Sequence, residues 1–244
     1  MGRRDIKPQK SKKPKKKASG EKCGLKWIKP QTQNQNQYIK DIKENTLVFG
    51  VGPAGTGKTL LVVNYGINEI LKKNYKKLII TRPVVEAGEK LGFLPGDLEE
   101  KLDPYLKPIF DYINEILGNT EDARGWISKH VEIAPLAFMR GRTFNNSFII
   151  LDEAQNTTKE QMKMFLTRIG YDSKAIVTAD PTQIDLKDIC TSGILEILEV
   201  LNNKPDVKIC KFYECDIVRS KIVQTIVEAY GDYYDDKEKP KDKL

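Results

Sequence analysis

This sequence is poor in metal-binding and redox residues: one histidine and four cysteines in 244 residues. Cys23, Cys190, Cys210 and Cys215 show no paired-ligand spacing, and a single histidine cannot complete a zinc set with them. Free thiols in a reducing compartment are the expectation. The solitary His130 sits just before an apolar run and reads as structural. No hydrophobic stretch reaches the length of a membrane span, and the charged N-terminus has no apolar segment behind it. These absences argue against a membrane partner and point to the cytoplasm.

What is abundant is charge, unevenly placed. The net charge is +7, yet residues 1–22 hold ten Lys/Arg against only Asp5 and Glu21. That is a local balance of +8, and it leaves the remainder at −1. Residues 1–25 are therefore expected as a disordered basic arm, a type of segment that suits phosphate backbones through counterion release. Residues 232–244 mix both signs and read as a flexible tail.

Between these ends, Gly52-Pro53-Ala54-Gly55-Thr56-Gly57-Lys58-Thr59 forms a complete phosphate-binding loop pattern. It follows the apolar run 47–51 and precedes a helical pattern from 59, the context such a loop requires. Glycines let successive N–H groups turn toward an anion, and the helix N-terminus adds unpaired donors and partial positive charge. Lys58 suits the β/γ-phosphates of a nucleoside triphosphate, and the Thr59 hydroxyl suits Mg²⁺.

Further strands are expected at 77–81, 131–134, 148–151, 175–178 and 207–212. Helical periodicity fits 38–44, 59–73, 98–117, 158–168, 192–202 and 217–230. This alternation implies an α/β domain, a mostly parallel sheet with helices on both faces. Its ligand edge would lie at the strand C-termini. The run 148–151 ends in Asp152-Glu153, which behind a phosphate loop reads as a metal-shell carboxylate and a water-orienting base. The next strand ends Thr178-Ala179-Asp180-Pro181-Thr182-Gln183. Gln183 lies where an amide could detect a γ-phosphate, or it closes a plain Asp-Pro turn.

Taken together, the chain resembles the PhoH family of ATPases, relatives of the superfamily-one helicase motor. The matching runs are Gly52–Thr59, Thr81–Leu98, Asp103–Leu106, Ala134–Phe144, Phe148–Thr158, Met162–Gly170 and Thr182–Leu186. They span about residues 31–231, and Thr81–Leu98 and Ala134–Phe144 are the most diagnostic. The resemblance implies a single RecA-like P-loop NTPase domain over 31–231, using ATP and Mg²⁺. It implies an adenine-side role for Asn34-Gln35, with Gln35 as the base-reading amide. Asp180 and Gln183 become the γ-phosphate sensor, and Val218-Arg219 resembles an arginine-finger motif. Ala179 stands where the family usually has glycine, and Ser220 where it has histidine.

A single motor lobe implies partners. Arg219 would complete a neighbouring subunit's site, in a homo-oligomeric ring of the hexameric kind that the resemblance suggests. Alternatively, Arg219 is a surface or intrachain ion-pair residue. Arg82, Arg140 and Arg142 are candidates for gripping RNA or other single-stranded nucleic acid, since guanidinium suits phosphate and stacks on bases. They could equally support the nucleotide pocket or a subunit contact. The leading expectation is an ATPase motor or remodeller of RNA, a helicase-like activity with room for a ribonuclease partner. The rival is an ATP-driven switch or assembly factor for a protein partner.

Overall fold

The computed structural model describes residues 26–84, 98–186 and 188–218, with positions 222, 223, 225, 226 and 229 beyond them. Helix α1 (Gln33–Glu44) leads into β1 (Leu47–Val51), α2 (Lys58–Leu71) and β2 (Lys77–Arg82). Then come α3 (Leu98–Leu117), α4 (Glu121–His130), β3 (Val131–Pro135) and β4 (Ser147–Leu151). The chain continues through α5 (Lys159–Leu166), β5 (Lys174–Ala179), α6 (Gly193–Val200) and β6 (Val207–Lys211).

The six strands form one sheet in the order β3-β2-β4-β5-β1-β6, and every pairing is parallel. Parallel strands need both faces covered, and the side-chain alternation shows how. Val48, Leu78, Ile80, Phe148, Ile150 and Ile176 face one core with residues of α1, α2, α3 and α4. Their neighbours Phe49, Ile79, Ile149, Leu151, Ala175 and Val177 face the other, against α5 and α6. Each fully buried Val, Leu, Ile or Phe among them contributes about 1.5–3 kcal/mol. Because all strands run the same way, the chain leaves β1, β2, β4 and β5 at one edge of the sheet.

Two local expectations are corrected. Helix α1 begins at Gln33, five residues before periodicity suggested, inside the Gln/Asn-rich run. A capping box explains it: the Thr32 hydroxyl accepts from Gln35 N–H while the Gln35 amide accepts from Thr32 N–H. Helix α4 was not anticipated at all. Its N-cap Thr120 and first-turn Glu121 and Asp122 are ordinary start signals, but only Ala123 and Trp126 are buried, too few for a clear period. The arm at 1–25, the tail at 232–244 and half of the expected helix at 217–230 lie outside the described residues, whereas positions 222, 223, 225, 226 and 229 of that helix are helical.

Candidate functional site: a phosphate-binding cleft

The loop between β1 and α2 is shaped by backbone that other residues resist. Gly55 and Gly57 sit at φ 81° and 76°, the left-handed region where a Cβ is strained. Gly57 is also the N-cap of α2, and no side chain caps that helix. Its first N–H groups are thus not taken up by a capping side chain, as an anion site requires. The Lys58 ammonium folds over the loop, donating to Gly52 O and Pro53 O, both at 2.7 Å, and to Thr56 Oγ1 at 3.2 Å. Burial pushes its pKa below the ordinary lysine value, against the opposing pull of Asp180, Glu153 and Asp152.

A cavity of about 260 Å³ opens beside this loop, lined by Lys58, Thr59, Asp152, Glu153, Asp180 and Gln183 among others. Asp152 is buried, and one of its oxygens accepts from Thr59 Oγ1 and from Thr178 Oγ1, each at 2.6 Å. A hydroxyl beside a carboxylate is a donor set for a hard cation. Mg²⁺ in particular is held by one or two carboxylates plus substrate phosphates rather than by a protein cage. The residues therefore fit Mg²⁺, and Thr59 and Asp152 would be the ones to hold it.

Glu153 follows at φ 53° and ψ 41°, an uncommon left-handed conformation for a non-glycine residue. That turn aims its carboxylate into the cleft. One oxygen pairs with Arg82 Nη2 at 3.0 Å, and the other accepts from Gln155 Nε2 at 2.6 Å. The buried Gln155 also accepts from Asp180 N–H at 3.0 Å. Asp180 in turn accepts from Ala54 N–H of the phosphate loop at 2.7 Å and from Thr182. Gln183 N–H closes the Asp180 turn, and its side chain borders the cavity. The Asp-Pro turn is thus present, and it places Gln183 at the cavity.

The remaining expected residues are placed less directly. Gln35 is buried beneath the loop, where its amide donates to Thr56 O at 3.0 Å and accepts from Gln31 N–H. It clamps α1 to the phosphate loop and does not line the cavity. Arg82, the last residue of β2, reaches the site through Glu153. Arg140 is exposed after the turn at Leu136–Met139. Arg142 is drawn away: it pairs with Glu132 at 2.5 Å, near the start of β3, and lies over the Phe144 ring. Glu132 sits at the strand edge opposite the phosphate loop. Phe144 is core, whereas Phe138 is exposed. Arg219 lies outside the described residues. Its predecessor Val218 donates its N–H to Gly55 O at 3.0 Å.

Three residues of the site carried no sequence assignment. Tyr112 of α3 lines the cavity, and burial raises its hydroxyl pKa, helped by Asp152 and Glu153. Thr178 fixes Asp152 from the adjacent strand. Gln155 ties the two acidic loops together. Gln155 is legible from its place two residues after Asp152-Glu153. Tyr112 is not, because only folding brings α3 over the sheet edge.

A parallel sheet whose glycine loop and Asp-Glu strand end open on one cleft defines a P-loop nucleotide-binding domain. Within that class the chain belongs to the PhoH family, since residues 27–231 match the family described as PhoH-like protein. A PhoH-like protein of Mycobacterium leprae is 49% identical over 208 residues, 85% of this chain and 60% of the relative. One from Bacillus subtilis is 49% identical over 84% of this chain and 64% of its own length. Protein PhoH of Escherichia coli is 44% identical over 84% and 58% respectively. The chain thus spans about 60% of the length of such relatives. Among solved structures, the large terminase of a thermophilic bacteriophage aligns at TM-score 0.49 and 13% identity, covering 82% of this chain and 50% of that one. A likeness that remote carries no functional information.

Proposed function

We propose that this domain hydrolyses ATP with Mg²⁺ and couples turnover to single-stranded nucleic acid, RNA foremost, as a motor or remodeller. One observation carries the reading: Lys58, Thr59, Asp152 and Glu153, from separate loop and strand ends, border the same cavity. Thr59 and Asp152 would hold Mg²⁺, which when bound would supply neutralisation of the negative charge on the phosphates. The protein's own part is positioning. Loop N–H groups and Lys58 hold the phosphate chain, Thr59 and Asp152 hold the cation, and Glu153 orients and polarises the attacking water. Gln183 and Asp180, which line the same cavity, would sense the state of the terminal phosphate. In a ring of copies, Arg219 would supply the finger.

The test is ATP turnover by the purified chain with and without poly(U) or oligo(dT), across a salt series. We expect Mg²⁺-dependent hydrolysis, stimulated by polymer and losing that stimulation as salt rises. Glu153→Gln is expected to retain ATP binding while kcat drops by about 10²–10⁴-fold. Lys58→Ala is expected to lose binding. Turnover indifferent to either polymer at every salt concentration would favour a nucleotide switch for a protein partner. No turnover at all would end the proposal.

A further inference from the structure

The carboxylate expected to activate water is not free to do so. Both Glu153 oxygens are engaged, one by Arg82 Nη2 at 3.0 Å and one by Gln155 Nε2 at 2.6 Å. A carboxylate with one oxygen paired to a guanidinium and the other already accepting from an amide keeps a lone pair on each oxygen, but its charge is partly neutralised and its orientation fixed, so it is a weaker acceptor for a water proton. The two holds differ in kind. Gln155 is 1% exposed and anchored from behind by Asp180 N–H, and its backbone carbonyl accepts from Ser192 Oγ. It is part of the frame. Arg82 is the last residue of β2, and its side chain is 23% exposed at the sheet edge that carries the cleft.

We propose that Arg82 is a positioning residue that latches Glu153 in a resting pose, and that an anionic nucleic-acid backbone passing the end of β2 opens the latch by taking the guanidinium. Phosphate and carboxylate compete for the same planar fork of donors, and a phosphodiester chain presents its charges in series. When Arg82 turns outward, one Glu153 oxygen is released toward the cavity while Gln155 keeps the carboxylate in register. No covalent bond is made or broken in this step; only the partner of the guanidinium changes. The chain therefore hydrolyses slowly alone and faster on polymer. The inference rests on the hydrolytic reading above and names how that site is regulated.

The experiment compares wild type, Arg82→Gln, Arg82→Lys, Glu153→Gln and the double variant R82Q/E153Q, measuring kcat and KM for ATP with and without poly(U). Thermal midpoints monitor folding. Arg82→Gln is expected to raise basal kcat at least ~10-fold, part of the ~10²–10⁴ that a placed base contributes. KM for ATP should stay put, since Lys58 and the loop N–H groups that hold the phosphates are untouched, and poly(U) should add little further. Arg82→Lys, with one point of contact in place of a fork, should lie between wild type and Arg82→Gln. The gain must vanish in the R82Q/E153Q background. Basal kcat that falls or stays level in Arg82→Gln overturns the latch, as does a gain that survives without Glu153. A raised basal rate that poly(U) still stimulates fully, or a wild type deaf to poly(U), overturns the opening by polymer. Wild type without any turnover instead defeats the hydrolytic reading, so the two failures are told apart.

Discussion

Asp216 shows how much one carboxylate can organise. It is buried, and it accepts from Thr32 Oγ1 at 2.5 Å, Asn34 Nδ2 at 2.8 Å and Tyr213 N–H at 3.0 Å. Burial alone raises its pKa, but the hydrogen bonds from Thr32, Asn34 and Tyr213 together outweigh it and hold the pKa below the ordinary aspartate value. A depressed folded pKa contributes stability that is fully present above the unfolded value, near ~3.9. That stability is lost as pH falls through the folded pKa. Asp216→Asn should therefore cost about 1–3 kcal/mol at neutral pH. Urea midpoints of the two proteins should converge as the pH is taken below ~4, and a gap of constant size down to acid would refute the assignment. Residue roles set by local spacing, such as Lys58 and Thr59 one after the other, were legible in the chain. Asp216 was not, because its Thr32 and Asn34 partners lie more than 180 positions away.

Elements follow a similar division. The strands were readable because a two-faced parallel sheet demands dense apolar runs, and all six expected runs became strands. Helix α1 was readable only in its second half, since its buried face is led by Gln35 and Tyr38 rather than by aliphatic residues. Lys174 shows why tertiary context overrides composition: its buried ammonium, with pKa lowered by desolvation, donates to the Ile42 and Lys43 carbonyls at the end of α1. Helix α2 supplies a prediction against propensity. Gly66 is mid-helix, where alanine alone would gain about 1 kcal/mol. A Cβ there would meet Phe148 Cδ1 at 2.8 Å and Leu78 Cδ1 at 2.9 Å, both side chains fully buried. Overpacking of this kind costs about 1–3 kcal/mol, so Gly66→Ala is expected to lower the unfolding free energy by about 1 kcal/mol net. A stabilised variant in chemical denaturation would show that the α2–sheet contact yields more easily than the distances indicate.

At the scale of the whole molecule, the open question is whether a subunit's site is completed by its neighbour. Val218 is bonded to the phosphate loop of its own chain, so completion within one subunit is the natural competitor to completion across a ring. Mixing Arg219→Ala chains with Lys58→Ala chains separates them. Recovery of hydrolysis at intermediate ratios is expected if the finger acts in trans, because each mutant lends what the other lacks. Loss in simple proportion at every ratio would place both functions in one subunit. The sequence by itself determined the phosphate loop, the acidic strand end and the layered α/β plan, since these depend on backbone freedom and periodicity within a few residues. Only the tertiary structure decided that Arg82 closes on Glu153, that Arg142 turns to the far edge, and that Gln35 clamps the loop from below. Those outcomes depend on which strand lies beside which, and strand order β3-β2-β4-β5-β1-β6 is set by packing of distant segments rather than by any local run.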